Sequence, residues 1–316
     1  MIRYRASLTN TPVLLIAFNR PDTTRQVLGR TIDANVRELF IAADGPRVDK
    51  PDDVQRCEQT RRLFEHLPST IRVHKLFHER NLGCRVGVST AISWFFSHVE
   101  RGIILEDDCL PDPSFFGFCE AGLRKYESEE RIKIISGQNP LGDFKANTDV
   151  LLSKFAFIWG WASWRRVWAQ YDLEIVDWPS PKMSADITQW LSSKHAVQYW
   201  FHYFDAIKRG LDTWDVQLNF LMYKSRGLAA ISRGNLVRNI GFLCDATHTS
   251  DPDDVRQFQP VLTASSEPVF PARMVCNEAF DRALVKEHYF NKDLTLLGKI
   301  KSRLRPIRRF LVGPRG

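Results

Sequence analysis

The chain has 316 residues, 44% hydrophobic and 12% aromatic, which is enough for one large domain with a real core or two modest ones. Its net charge of +7 lies wholly in residues 297–316, where Lys299, Lys301, Arg303, Arg305, Arg308, Arg309 and Arg315 stand without a single acid; the rest is neutral, which argues against a nucleic-acid-binding face. Cys57, Cys84, Cys109, Cys119, Cys244 and Cys276 are scattered with no CxxC pair or zinc spacing, so they read as reduced thiols and not as a disulfide framework.

In chain order, "MIRYRASLTN" carries basic residues but no apolar signal-peptide core behind it. No run approaches the roughly 20 apolar residues of a membrane span. The expectation is a cytoplasmic protein, or one peripheral on the inner face of the membrane. "PVLLIAF" (12–18) predicts a buried strand, and "PDTTRQVLGRTIDAN" a helix opened by Pro21 and Asp22. "ELFIAAD" (38–44) is a second strand, 51–66 a helix, and "TIRVHKLF" (70–77) a third strand. A helix over 85–99, a strand at "GIILED", a helix over 113–127 and a strand at 131–139 complete the rhythm. Alternating strands and helices predict an α/β fold, a mostly parallel sheet flanked by helices. The following half is aromatic-rich: "FAFIWGWASWRRVWAQYD" (155–172) holds four Trp, two helices are expected near 184–209 and 214–226, and "NLVRNIGFLCDATHTSDPDD" reads as irregular.

In parallel sheets ligands bind outside the carboxyl ends of the strands. The polar residues cluster there: Asn19 and Arg20 after the first strand, Asp44 after the second, Asn81 after the third, and Glu106, Asp107 and Asp108 after the fourth. Three adjacent carboxylates repel at a site of reduced dielectric, and a hard divalent cation such as Mg²⁺ or Mn²⁺ relieves the repulsion. The alternative is a solvated acidic loop that starts the next helix at Asp112 and Pro113. The chain has no GxxxxGK[ST], no GxGxxG after a strand, and no glycine-rich segment after strand one of the sort a sugar-nucleotide pyrophosphorylase would carry.

The ordered set "NRP", "ADG", "NLGCRVG", "EDDCLPDPSFF", "WGWASW" and "TWDVQLNF" resembles the nucleotide-diphospho-sugar transferases of the GT-A fold. It is most similar to the family of N-acetylglucosaminyltransferase I, the protein O-mannose N-acetylglucosaminyltransferase and their bacterial relatives, over roughly residues 11–250. The resemblance implies a GT-A domain over 1–250, with a donor half (11–140) and an aromatic acceptor half (141–250), then a C-terminal extension (251–296) and the basic tail (297–316). It implies that Arg20 contacts the nucleotide or diphosphate and that Asp44 accepts a hydrogen bond from a uracil-type base. Glu106 and Asp107 would meet the ribose and donor sugar, Asp108 would ligate the metal, and Asp215 would be the general base. Gly160–Trp161 would match the family's Gly-Trp element.

The chemistry agrees with that assignment. Glycosyl transfer leaves a diphosphate whose charge a metal offsets, and the acceptor hydroxyl needs a base on the opposite face of the sugar. Asp215 can be that base or only a helix cap; Asp205, Asp212 and Glu174 are the next candidates. His248 in "CDATHTSD" can ligate the metal or be a surface loop residue. Trp161 beside Gly160 is expected to wall the cavity, whereas Trp164 and Trp168 read as core. The expectation is a metal-dependent, inverting glycosyltransferase that moves a sugar from a UDP-sugar donor, UDP-GlcNAc among the candidates, to a glycan, glycolipid or protein acceptor. Its rivals are nucleotidyl transfer to a sugar phosphate, or a catalytically inactive sugar-nucleotide- or glycan-binding domain. In the tail, Leu297, Ile300, Leu304, Ile307 and Leu311 share one helical face among basic residues, which suits an anionic membrane surface, although Pro306 interrupts it; the alternative is a solvated basic tail.

Overall fold

A computed structural model describes residues 9–242 and 259–289. The first strand, β1 (Val13–Ala17), is apolar on both faces, as a central parallel strand must be. Val13, Leu15 and Ala17 join one core cluster, and Leu14 and Ile16 the other. β1 pairs in parallel with β2 (Glu38–Ala43) on one side and β4 (Arg101–Glu106) on the other, and β2 pairs with the edge strand β3 (Arg72–Phe77). Helices α1 (Pro21–Asp33), α2 (Pro51–Arg62), α3 (Gly83–His98) and α4 (Ser114–Lys125) lie between and after these strands. Pro21 and Pro51 open α1 and α2, where a missing N–H costs nothing. Phe115, Phe116, Phe118 and Leu123 of α4 pack on one face of the sheet with Val27 and Leu28 of α1. Val88, Ile92, Phe95 and Phe96 of α3 pack on the other.

With β6 (Ile132–Ser136), β7 (Val150–Ser153), β8 (Trp161–Trp164) and β9 (Leu228–Ser232), the sheet continues beyond β4 to eight strands, in the order β3-β2-β1-β4-β8-β6-β9-β7. The five strands expected from the first 140 residues are present, but β6 does not adjoin β4. β8, inside the run read only as aromatic, inserts antiparallel between them. β7 is antiparallel to β9, which runs parallel to β6. The sheet is therefore mostly parallel and flanked by helices, as expected. A two-stranded ribbon, β5 (Cys109–Pro111) with β10 (Val237–Asn239), lies within segments read as loop.

After the short α5 (Arg165–Trp168), the helix expected over 184–209 is two helices, α6 (Pro181–Leu191) and α7 (Lys194–Lys208). Ser192 ends α6 at φ 57°, and the Ser193 hydroxyl accepts from the Ala196 N–H to start α7. Paired serines compete with the helix for hydrogen bonds, which is why the chain turns there. α8 (Asp215–Lys224) follows as expected. The described part of the C-terminal extension packs onto the main domain. Asn277 N–H donates to Leu152 O at 2.7 Å, and Phe280 and Leu284 of α9 (Glu278–Leu284) are fully buried in the same core as α3, α7 and α8. Among the described residues no helix is long and apolar enough to cross a membrane. His248 and the basic tail lie outside the described residues.

Candidate active site

The carboxyl ends of β1, β2 and β4 open into a cavity of about 740 Å³, closed opposite by residues 158–159, α7 and the turn before α8. Arg20, Asp44, Glu106, Asp107, Asp108 and Asp215, drawn from distant parts of the sequence, all line it. It is the convergence expected at the strand ends of such a sheet.

The acids are held differently. Asp107 accepts from the Phe18 N–H at 3.0 Å, which ties β4 to the loop after β1. Arg20 donates from one terminal nitrogen to Asp108 at 2.8 Å and lies 3.9 Å from Asp107. Burial works against the Arg20 charge, but Asp107 and Asp108 outweigh it and raise its pKa. Burial pushes the Asp107 carboxyl up to about 7; Arg20 opposes this and Asp108 adds to it. Glu106 is driven well above the usual carboxylate range by burial and then by Asp108, Asp107 and Asp215. Gly241 presses on this cluster so closely that a Cβ there would fall 2.3 Å from Asp108 Oδ2. The loop alternative holds for the next acid only: Asp112 accepts from the Ser114 N–H and hydroxyl at the start of α4.

Asp44 is nearly saturated. It accepts from the N–H groups of Gly45 and Leu82 and from the Asn81 amide at 2.9 Å. Burial raises its pKa, and those amides oppose the shift. It therefore fixes the loop before α3 and leaves little acceptor capacity for a ligand. Arg47 and Asn19 both bond the buried Asp53, and Arg47 lies over the Phe18 ring at 5.4 Å.

Asp215 is the first residue of α8, and the helix has no side-chain cap. Its carboxylate accepts from the Thr213 hydroxyl, so it is not an N-cap. Of the other acids considered for a base, Asp205 accepts from the Trp178 indole at 2.9 Å and Glu174 pairs with Arg85 at 2.6 Å; neither lines the cavity. Asp212 lines it but accepts from the Cys84 and Arg85 N–H groups at 3.1 and 2.8 Å.

Trp161 corrects the expectation of a wall residue. It is 1% exposed and does not line the cavity; it stacks behind Trp214, centroids 5.8 Å apart, and Trp214 and Trp159 form the wall. Gly160, at φ 70°, turns the chain into β8 where a Cβ would strike Val237 at 2.7 Å. Trp164 and Trp168 are core, as expected. Sequence reasoning missed Arg47, His78, Thr213, Tyr199, Tyr203 and Asn239 on the cavity wall. Arg47 was within reach, since "ADGPR" continues the second strand end. Tyr199 and Tyr203, four apart on α7, give no sign in sequence that separates them from core aromatics.

Among the described residues no three His, Cys, Asp or Glu side chains converge as a ready-made metal cage. The donor chemistry still fits a hard divalent cation, which binds through one or two carboxylates and completes its shell with phosphate oxygens and water. Asp108 at the cavity wall, amid carboxylates that repel one another, meets that description.

No protein-family model and no curated protein matches this chain. Among solved structures it is similar to the inositol-1-phosphate CTP transferase from T. maritima, at 10% identity over 79% of this chain and 95% of that one, TM-score 0.38. It is also similar to HddC from Yersinia pseudotuberculosis, at 11% identity, 54% and 80% coverage and TM-score 0.29. A third is the 4-diphosphocytidyl-2C-methyl-D-erythritol synthase from Anaerococcus prevotii, at 8% identity, 58% and 85% coverage and TM-score 0.33. Likeness at this level carries no argument about activity, which rests on the site itself.

Proposed function

We propose that the protein is a metal-assisted transferase acting on a nucleotide-activated sugar, and that the reaction is glycosyl transfer from a nucleoside diphosphate sugar to a hydroxyl. The observation that carries this reading is the charge distribution of the cavity. Glu106, Asp107, Asp108, Asp44, Asp212 and Asp215 line it, against two guanidiniums, Arg20 and Arg47, each already bonded to a carboxylate. Such a cavity repels a bare diphosphate and accepts one accompanied by a divalent cation.

Asp108 would hold the cation beside Arg20. The cation, when bound, offsets the charge developing on the leaving diphosphate. Arg20 bonds Asp108 and lies near Asp107, and in this reading it holds the cluster in place while adding positive charge beside the diphosphate. Asp215 takes the acceptor hydroxyl proton as the acceptor oxygen bonds to the anomeric carbon and the anomeric C–O bond to diphosphate breaks, inverting the configuration. Trp159, Trp214 and Tyr203 offer aromatic faces to sugar rings and exclude water. Asp44 in this reading orients the loop before α3 that would meet the base, its own oxygens being taken up by Gly45, Leu82 and Asn81.

The second reading, nucleotidyl transfer to a sugar phosphate, shares the acids and the cation. It is disfavoured by the acceptor side of the cavity, where the described lining of α7 and residues 211–216 has two carboxylates and no cation to receive a phosphate. A thermal-shift panel of nucleoside diphosphate sugars and nucleoside triphosphates, each with and without Mn²⁺, tests the choice. Glycosyl transfer predicts stabilisation by a diphosphate sugar that depends on Mn²⁺. Stabilisation by a triphosphate alone would favour the second reading.

A further inference from the structure

The residues around Asp215 are held from four directions. The Tyr171 hydroxyl donates to Trp214 O at 2.9 Å, and Tyr171 stacks on Trp168. The fully buried Gln217 amide donates to Thr213 O at 2.8 Å and reaches Leu173 O at 3.4 Å. The Thr213 hydroxyl donates to Asp215 itself. These three bonds are made within the second half of the chain. The fourth crosses the cavity mouth: both oxygens of Asp212 accept from Cys84 and Arg85 N–H at the start of α3, which the loop after β3 delivers.

That fourth bond is a side chain from one half capping a helix of the other. A carboxylate at a helix N-terminus is favoured by the unpaired N–H groups and by the helix dipole. Leu82 at the N-cap position has no side-chain acceptor, and Asn81 before it accepts from the Gly83 N–H alone, so the next two N–H groups fall to Asp212. The approach also depends on Gly83. It sits at φ 80°, a conformation glycine tolerates best, and a Cβ there would lie 3.0 Å from Asp212 Oδ2. Arg85 reinforces the junction from the α3 side, donating to Leu173 O at 3.0 Å, the same carbonyl that Gln217 reaches.

We propose that Asp212 is the positioning residue that sets Asp215 relative to the donor-binding half, and that Gly83 is kept small to admit it. The inference rests on the reading of Asp215 as the base. A base must stand within hydrogen-bond reach of the acceptor proton, and a shift of about 1 Å can cost on the order of a hundredfold in rate. Asp215 belongs to α8 and the diphosphate site to β1, β2 and β4. Asp212 ties the loop that carries the one to the start of the helix beside the other.

The test uses the full chain with whichever of UDP-GlcNAc, UDP-glucose and UDP-galactose it hydrolyses fastest with Mn²⁺. Asp212→Ala is expected to lower kcat about tenfold or more while the Kd for UDP with Mn²⁺ stays within about twofold. Asp212→Asn, which keeps one acceptor oxygen, should recover most of that loss. Gly83→Ala should lower kcat as well, from the other side of the bond. The double variant should then lose no more than the worse single, because both break one interaction. A role in folding alone would lower the yield of folded protein and leave kcat per active site unchanged. If wild type turns over a UDP-sugar and neither Asp212→Ala nor Gly83→Ala changes kcat, or if their effects simply multiply, the positioning role is wrong and the base assignment stands. If wild type hydrolyses none of the three, the proposed function itself fails, and the positioning role with it.

Discussion

The two walls of the cavity are built on different principles. On the β1–β4 side, carboxylates are placed by backbone amides and by charged or amide side chains: Asp44 by Leu82, Gly45 and Asn81, Asp107 by Phe18, and Asp53 by Asn19 and Arg47. On the α7–α8 side, hydrogen bonds hold the turn around Asp215, and packed rings build the rest of the wall. Trp161 stacks on Trp214, Trp200 on Phe204 and Trp168 on Tyr171. The indole N–H groups of Trp161, Trp164 and Trp190 are buried without a hydrogen-bond partner. One wall is thus organised to read charge and hydrogen bonding, and the other to read shape.

The comparison breaks most visibly if packing is removed from one wall only. Trp161→Ala should cost about 3–5 kcal/mol of stability, because a large ring leaves a cavity the sheet cannot close. It should also release Trp214 and lower turnover, while the Mn²⁺-dependent affinity for UDP, set by the other wall, changes little. Denaturant unfolding with calorimetry on the same protein checks both halves of that statement. Next in size, Asp215→Asn should lower turnover about a hundredfold or more and leave UDP affinity unchanged, since a base acts in the transition state. Steady-state kinetics decides, and turnover within a few-fold of wild type would place the base elsewhere. Asp108→Asn should abolish the Mn²⁺ dependence of UDP binding with the fold intact, because it removes charge from a repelling cluster. Calorimetry with and without Mn²⁺ reads this directly.

The smallest effect sharpens the contrast through pH. Arg47 and Asn19 hold the Asp53 carboxyl below its ordinary value, with burial opposing them. Its contribution is present above the unfolded value near 4 and is lost as pH falls through the folded value. Asp281, behind the second wall, is raised by burial despite bonds from Cys276, Ser153 and the Lys154 N–H. Its contribution is full below the unfolded value and is lost as pH rises through the folded one. Asp53→Asn should therefore cost about 1 kcal/mol at pH 7, limited because Arg47 is 39% exposed, and less near pH 3. Asp281→Asn should move the opposite way, gaining on wild type as pH rises above about 4. Urea titrations across that range separate the two signs.

The first wall was legible because its elements are regular. Buried parallel strands are continuous apolar runs, so β1 to β4 stand out, and their polar successors fall at the strand ends by topology. Arg20, Asp44, the three acids and Asp215, singled out from sequence, all line the cavity. The second wall was hidden. β8 reads "WASW", which is apolar with a polar residue and could be helix, strand or loop. Its strand character comes from pairing with β4 and β6, a tertiary fact. Trp161 could not be told from Trp159 in sequence, because residues two apart would share a face of one strand; it is the turn at Gly160 that leaves Trp159 before β8 and puts Trp161 inside it, which only the folded chain shows. The role of Asp212 was invisible for the same reason, since its partners, Cys84 and Arg85, are 128 and 127 residues away.

The most direct measurement of the central claim is product analysis. The protein is incubated with Mn²⁺ and a panel of UDP-sugars, and separately with nucleoside triphosphates and sugar 1-phosphates. The account predicts UDP and free sugar from at least one UDP-sugar in wild type, loss of that release in Asp215→Asn, and no pyrophosphate from the triphosphate mixtures. Pyrophosphate release from a triphosphate and a sugar phosphate, with every UDP-sugar left intact, would contradict glycosyl transfer and assign the same acids to nucleotidyl transfer.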